Sequence, residues 1–379
     1  MATIKHLLGL MCALGALPAF GQDAVKAPAL PAGVYREMWS SRFLNIGRVF
    51  AVSFSPGGKT LAASCWDGTV WLGDVASGDI LQQWPGSRGW GHVHAFSPDG
   101  KVLAAADGNQ VVRLWDVATG KALRELKGHT GRLQWVGFSG DGRLFGSQCT
   151  KSLRLWKVPS YEEMRRVDKS FAYCAPALAF NANLLAYAPD RESLVLVDPS
   201  SGKEIRKIET SLLPAGAVEF SHDDKYLIFR PNYGQVRWWQ VADGRELPPL
   251  TERPGRANTA LAPNGRTIAL APGNSTIELV ELASRRVRLR LAKLEIPETC
   301  MAFSPDSRTL AIGGIDRSVL LWDLTGRRDK GVLAPLALSA AELPAIWKDL
   351  HADDGMRAHQ AIWKFVAGAK ARRQVITIG

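Results

Sequence analysis

Short apolar runs, separated by turns of Ser, Pro, Asp and Gly, recur along most of this chain. One unit shows the pattern. Val93 to Phe96 is apolar and ends at Ser97-Pro98-Asp99-Gly100, and Val102 to Ala106 follows. A turn near Gly108-Asn109 leads to the run Val111 to Val117, and a turn at Thr119-Gly120 leads to a fourth run, Ala122 to Leu126. Runs this short, bounded by such residues, predict β-strands. The turn residues have separate causes: Pro presets φ, Asp bonds nearby backbone, and Gly accepts positive φ.

The unit occurs seven times. Its first anchor falls at Phe54, Phe96, Phe138, Phe180, Phe220, Leu261 and Phe303, spaced by 42, 42, 42, 40, 41 and 42 residues. A second anchor falls at Asp74, Asp116, Lys157, Asp198, Gln240, Glu281 and Asp323, each 41 or 42 after the last. This period predicts an all-β fold, a seven-bladed β-propeller of four-stranded antiparallel blades over residues 34–330. A single blade cannot bury both faces, so neighbours must stack around a channel and the ring must close. The predicted closing strand is amino-terminal, Val34 to Trp39, because the rival run Val332 to Leu338 is interrupted by Pro335.

On these residues the chain resembles the WD40-repeat family, over about residues 34 to 330. That family often carries a Gly-His before the first strand, an Asp in the turn before the third and a Trp within it, linked by buried hydrogen bonds. Here only Gly128-His129 stands at the usual place, and its repeat has Thr150 where the Asp belongs. Asp67 and Asp316 occupy the Asp position without the His. Apolar packing and disulfides, rather than that network, are therefore expected to hold the blades.

The resemblance also implies where partners dock: the rim formed by the approach to each first strand and by the second-to-third-strand turn. Read by register, blades 1 to 3 place Arg48, Phe50, Trp66, Trp90, His92, Arg132 and Gln134 there. Blades 4 to 7 supply mainly Pro214, Gly216, Gly255, Ala257, Pro297 and Thr299. The first half has the aromatic and Arg-rich composition of interface hot spots. The competing reading is that Trp66 and Trp90 merely cover the blade 1–2 junction and the carboxyl-terminal tail.

Residues 1–21 read as a secretory signal: Lys5 and His6, then the apolar stretch Leu7 to Leu17, then Ala19-Phe20-Gly21 as a small-x-small cleavage site. The apolar stretch is too short to span a bilayer. Residues 22–33, rich in Ala and Pro, read as a linker. Export to the periplasm or beyond would leave Cys65, Cys149, Cys174 and Cys300, an even count that favours disulfides. The register favours Cys149 with Cys174, at the end of a blade 3 strand and the start of a blade 4 strand. Buried thiols are the alternative.

Charge adds one further candidate. Lys and Arg number 47 against 36 Asp and Glu, a net charge of +11, or +10 without Lys5. Arg285, Arg286, Arg288, Arg290 and Lys293 concentrate part of it, with Arg286, Arg288 and Arg290 on one face of the predicted outer strand of blade 6. Edge charges that block sheet-to-sheet pairing explain them simply; a polyanion site is the alternative.

Residues 331–379 change character. Ser339-Ala340-Ala341-Glu342 fits a capping box, and Leu343, Ile346, Trp347 and Leu350 sit at helical spacing. After Asp353-Asp354-Gly355, Met356, Ile362, Trp363 and Val366 suggest a second helix, so a small helical hairpin should dock its two Trp rings on the propeller or on a partner. The tail resembles the helical extension that follows WD repeats in some exported bacterial proteins. In those the chain often continues, whereas this one stops at Ile378-Gly379 after the basic stretch Lys370 to Arg373, so truncation is an open reading.

Catalytic motifs do not emerge: the chain has no G-x-S-x-G, phosphate loop, H-E-x-x-H or Cys-x-x-Cys. His351, Asp353, Asp354 and His359 match no common metal spacing, and helix-end capping explains the acids. No cofactor, metal or nucleic acid is expected. The sequence thus predicts an exported, monomeric, non-enzymatic scaffold that binds an unidentified protein through blades 1 to 3. A binder of acidic polysaccharide through the blade 6 edge is second, and an enzyme with its site in the channel third.

Overall fold

Each predicted run becomes a strand where its apolar residues meet a neighbouring blade. The computed structural model describes residues 33–38, 48–85, 93–169, 174–211, 213, 215–232, 234–250, 258–271, 276–291, 298–315, 318–325, 328–329, 332–333, 342–350, 361 and 364. Blade 1 is Val49–Phe54, Thr60–Cys65, Val70–Asp74 and Ile80–Trp84, hydrogen-bonded in that order. Blade 2 is His94–Phe96, Val102–Ala106, Val112–Asp116 and Ala122–Leu126. Blade 3 is Leu133–Phe138, Leu144–Cys149, Ser152–Lys157 and Glu163–Asp168, and blade 6 is Asn258–Leu261, Thr267–Ala271, Glu278–Glu281 and Val287–Arg290.

The ring closes at blade 7 as the sequence predicts. Glu298–Phe303, Thr309–Gly314 and Val319–Asp323 are completed on the outside by the amino-terminal Val34–Met38. Val34 faces Trp322 and Met38 faces Val319 across that ladder. Among the described residues of the rival segment, Val332–Leu333 pairs with Arg328–Asp329. The first strand of blade 7 packs against the first strands of blades 1 and 6, which joins the two ends of the ring.

Two blades depart from the repeat, and proline is the cause in each. Pro176 cannot donate to a ladder, so the first strand of blade 4 is only Ala177–Leu178. It is followed by Leu185–Tyr187, Ser193–Val197 and Glu204–Glu209. The preceding Cys174–Ala175 instead pairs in parallel with Gly216–Ala217 of blade 5. Blade 5 itself has Gly216–Phe220, Tyr226–Pro231 and Arg237–Gln240, and among the described residues its outer position holds the isolated bridge Trp239 to Glu246. Pro248 and Pro249 follow and end the pairing.

Buried apolar residues form seven clusters, one in each junction between blades. Met38, Val49, Leu61, Ala311 and Leu321 fill the junction of blades 7 and 1. Trp238, Ile268 and Val280 fill that of blades 5 and 6. Each buried Leu, Ile or Val contributes about 1.5–3 kcal/mol, so closing the ring adds a full junction to the total.

Polar contacts tie the same junctions from outside. Arg36 Nη1 donates to Ser77 O at 2.6 Å, linking the outer strand of blade 7 to a turn of blade 1. Arg124 reaches Ser160 O of blade 3, and Arg165 Nη2 reaches Ser200 O of blade 4 at 3.2 Å. Arg206 reaches Asp243 O and Ala242 O of blade 5 at 3.0 and 2.8 Å. Arg124, Arg165 and Arg206 stand 41 residues apart, a periodicity present in the sequence but overlooked beside the apolar anchors. Part of the excess positive charge therefore holds blades together.

Beyond the ring, Leu343–Leu350 forms a helix with Pro344 in its first turn, where a missing N–H is harmless. Ile346 is buried, whereas Trp347 is 54 % exposed. Ala361 and Lys364 are helical, Ala361 being buried, and Trp363 lies outside the described residues. No helix among the described residues is long and apolar enough to cross a membrane.

Candidate interaction rim

Blades 1 and 3 build the rim in the same way. After the second strand of blade 1, the Trp66 N–H donates to Arg48 O at 2.9 Å; in blade 3, the Thr150 N–H donates to Arg132 O at 3.0 Å. Phe50 and Gln134 occupy equivalent β-bulges. The ladder passes from the Val49–Cys65 pair to the Ala51–Ser64 pair, and from Leu133–Cys149 to Trp135–Gln148, skipping one residue each time. A bulged residue is left out of the ladder and its side chain is re-aimed.

In blade 1 that re-aiming makes a stack. The Phe50 and Trp66 rings lie 5.4 Å apart at 27°. The Arg48 guanidinium lies 5.4 Å from the Phe50 centroid, a cation–π arrangement. Trp66 nonetheless remains 46 % exposed. One face of its ring covers Phe50. Arg132 is exposed and Gln134 half-buried on blade 3. Trp90 and His92 lie outside the described residues, as do Pro214, Gly255, Ala257 and Pro297 of the other half-rim.

A short hydrogen-bond relay runs beneath the blade 3 rim. Trp156 Nε1 donates to Ser147 Oγ at 2.9 Å, and Ser147 Oγ lies 2.7 Å from His129 Nε2. His129 Nδ1 lies 3.4 Å from Ser152 Oγ. The network expected to be absent is thus present in reduced form, with Ser152 meeting the histidine. Burial, aided by Arg154 and Arg166, lowers the His129 pKa to about 4. The imidazole is therefore neutral at pH 7.

The blade 6 edge is partly neutralised by its own sheet. Arg288 pairs with Glu281, and Arg290 Nε lies 3.0 Å from Glu278 Oε1. Arg285 and Arg286 are exposed, and Lys293 lies outside the described residues. Two cross-strand carboxylates thus offset two of the arginines.

The expected Cys149–Cys174 bond is not formed; Cys65, Cys149, Cys174 and Cys300 all carry thiols. Cys174 is drawn onto blade 5, with its Sγ against Ala175 O, while Cys149 Sγ faces Ser152 Oγ at 3.4 Å. Burial raises the Cys174 thiol to about 12. At Cys149 burial also raises the pKa, but hydrogen bonds from Ser152 and the Lys151 N–H leave it below its ordinary value.

Among the described residues no group of three or more His, Cys, Asp or Glu is placed to hold a metal. His351, Asp353, Asp354 and His359 lie outside them. His222 belongs to the Ser221–Asp224 turn and stacks on Phe180 of blade 4, with centroids 4.0 Å apart.

The model of the WD domain, G-beta repeat family matches residues 44–74, 79–116 and 296–323. Those are blades 1, 2 and 7; blades 3 to 6 lie outside the matches. No curated protein matches the chain. WD40 propellers generally serve as scaffolds for protein interaction and are typically not enzymes. The chain thus carries WD40 repeats in three places and folds as a seven-bladed β-propeller.

Proposed function

We propose that the chain is an exported, non-enzymatic scaffold that binds a protein partner through the rim of blades 1 to 3. The observation that carries this reading is the Arg48–Phe50–Trp66 stack, where a large ring is held in place yet left nearly half exposed. An anchor ordered before binding loses little conformational freedom on docking, which favours affinity. Arg132 and Gln134, in equivalent positions two blades on, supply directed hydrogen bonds beside it. Export is supported by the charged, apolar and small-residue sequence of residues 1–21.

The test is affinity capture from the source's envelope extract, with mature protein beside a Trp66→Ala/Arg132→Ala variant of unchanged circular dichroism. A protein retained by the first and lost by the second identifies the partner. Equal retention by both retires the rim. Retention that modest salt abolishes in both forms moves the interaction to exposed charge, and with it to the blade 6 edge.

A further inference from the structure

The junction of blades 7 and 1 is the seam where the two ends of the propeller meet, and it contains two cysteines. Cys65 ends the second strand of blade 1 and is buried, and Cys300 packs against the same cluster from the first strand of blade 7. Gly313 explains how Cys300 reaches inward. A Cβ on Gly313 would stand 2.7 Å from Cys300 Sγ and 2.9 Å from Val49 Cγ1. The missing side chain therefore leaves a slot shared by a sulfur of blade 7 and a methyl of blade 1. Val49 is the direct ladder partner of Cys65. A bulge between Glu298 and Cys300 sets this register from the blade 7 side.

We propose that Cys65 and Cys300 are a disulfide-forming pair whose oxidation during folding joins blade 7 covalently to blade 1. The oxidant is a small-molecule or protein disulfide. One cysteine thiolate displaces a thiol from it, the second attacks the mixed disulfide, and two thiols plus the new S–S bond result, with the two protons passing to the released thiolates. The bond would convert a ring held by packing and one strand ladder into a covalently closed one. This inference is independent of the rim reading.

Reactivity fits formation during folding. Burial, with the charges of Asp67 and Cys300 nearby, pushes the Cys65 thiol up to about 12. Its thiolate fraction at pH 7 is then on the order of 1 in 10⁵, so exchange in the closed ring is slow and a bond once formed is shielded. Before the seam closes, both thiols meet oxidant at their ordinary pKa.

The test is refolding of the reduced, unfolded mature chain in a glutathione redox buffer, followed by alkylation and peptide mapping by mass spectrometry. The expected product links Cys65 to Cys300 and leaves Cys149 and Cys174 alkylated. Cys174→Ser preserves the link. The oxidised protein melts about 5 °C or more above its reduced form, and this gap disappears in Cys300→Ser. Alkylation of all four cysteines after oxidative refolding overturns the proposal, as does a Cys149–Cys174 link. Reduced wild type and Cys300→Ser compared under the same conditions separate loss of the bond from a failure to fold.

Discussion

The Asp224 carboxylate of blade 5 accepts the backbone N–H of Asn181 in blade 4 at 2.6 Å. The same carboxylate takes the N–H groups of Phe180 and Ala182 at 2.8 and 2.7 Å, so one side chain caps the whole first turn of the neighbouring blade. Asp224 occupies the repeat position held by Gly100 and Gly142 in blades 2 and 3, and it keeps their positive φ, at 54°. Asp224→Gly therefore retains the turn and removes only the cap. It should cost about 2–4 kcal/mol, because three N–H groups at a junction lose a charged acceptor. Asp223→Asn, which alters contacts to Ser221 and Lys225 within the turn, should cost under about 1 kcal/mol. Urea unfolding of both variants checks the ranking.

Gly202 is required twice. Its φ is +70°, and a Cβ would stand 2.0 Å from Arg165 Nη1 of the preceding blade. Gly202→Ala should lose about 1–2 kcal/mol from backbone strain, plus whatever the displaced Arg165 contributes. A double-mutant cycle with Arg165→Ala isolates the second part. The combined variant should be less destabilised than the sum of the singles, and strict additivity would remove the arginine from the account of blade cohesion.

How much of this was readable beforehand follows from what a pattern encodes. Seven-fold repetition and closure by Val34–Met38 were readable, since alternation and turn chemistry report which runs are strands. The rim positions Arg48, Phe50, Trp66, Arg132 and Gln134 were readable as positions, because the register carries from blade to blade. The Phe50–Trp66 stack was not, since it depends on a bulged residue that two-residue alternation cannot register. Pro176, Pro248 and Pro249 stood in plain view, but their effect on blades 4 and 5 depends on which neighbour offers a substitute ladder. Cys174 pairs with Gly216 of blade 5 rather than opening the blade 4 strand its register assigns, and repeat spacing does not reveal that exchange.

At the rim, Trp66→Ala should weaken partner binding by about 2 kcal/mol or more, roughly 30-fold, as central aromatic anchors do. Folding stability should fall much less, because nearly half of the ring is already in solvent. Arg48→Ala, which removes only the cation above Phe50, should have the smaller effect. Titration calorimetry with the captured partner reads both, and equal small losses would reduce Trp66 to a cover for Phe50.

Acid sensitivity should centre on His129. Trp156 Nε1 donates to Ser147 Oγ, and the same hydroxyl lies 2.7 Å from Nε2 of the buried His129. Protonation would place a buried charge on the imidazole beside Arg154 and Arg166. The folded pKa of about 4 lies below the ordinary 6.5, so between these values the unfolded chain binds more protons than the folded one. The stability is fully present above about pH 6.5 and declines as pH falls toward 4, by at most about 3 kcal/mol from this group. His94 adds to the slope in the same window, its pKa also lowered to about 4 by burial, while its Nδ1 lies 2.5 Å from Ser64 Oγ. Melting temperature measured from pH 7.5 to 4.5 should fall, and His129→Gln should flatten that fall even where it lowers stability at neutral pH. An unchanged slope in the variant would assign the acid response to His94 and the surface carboxylates instead.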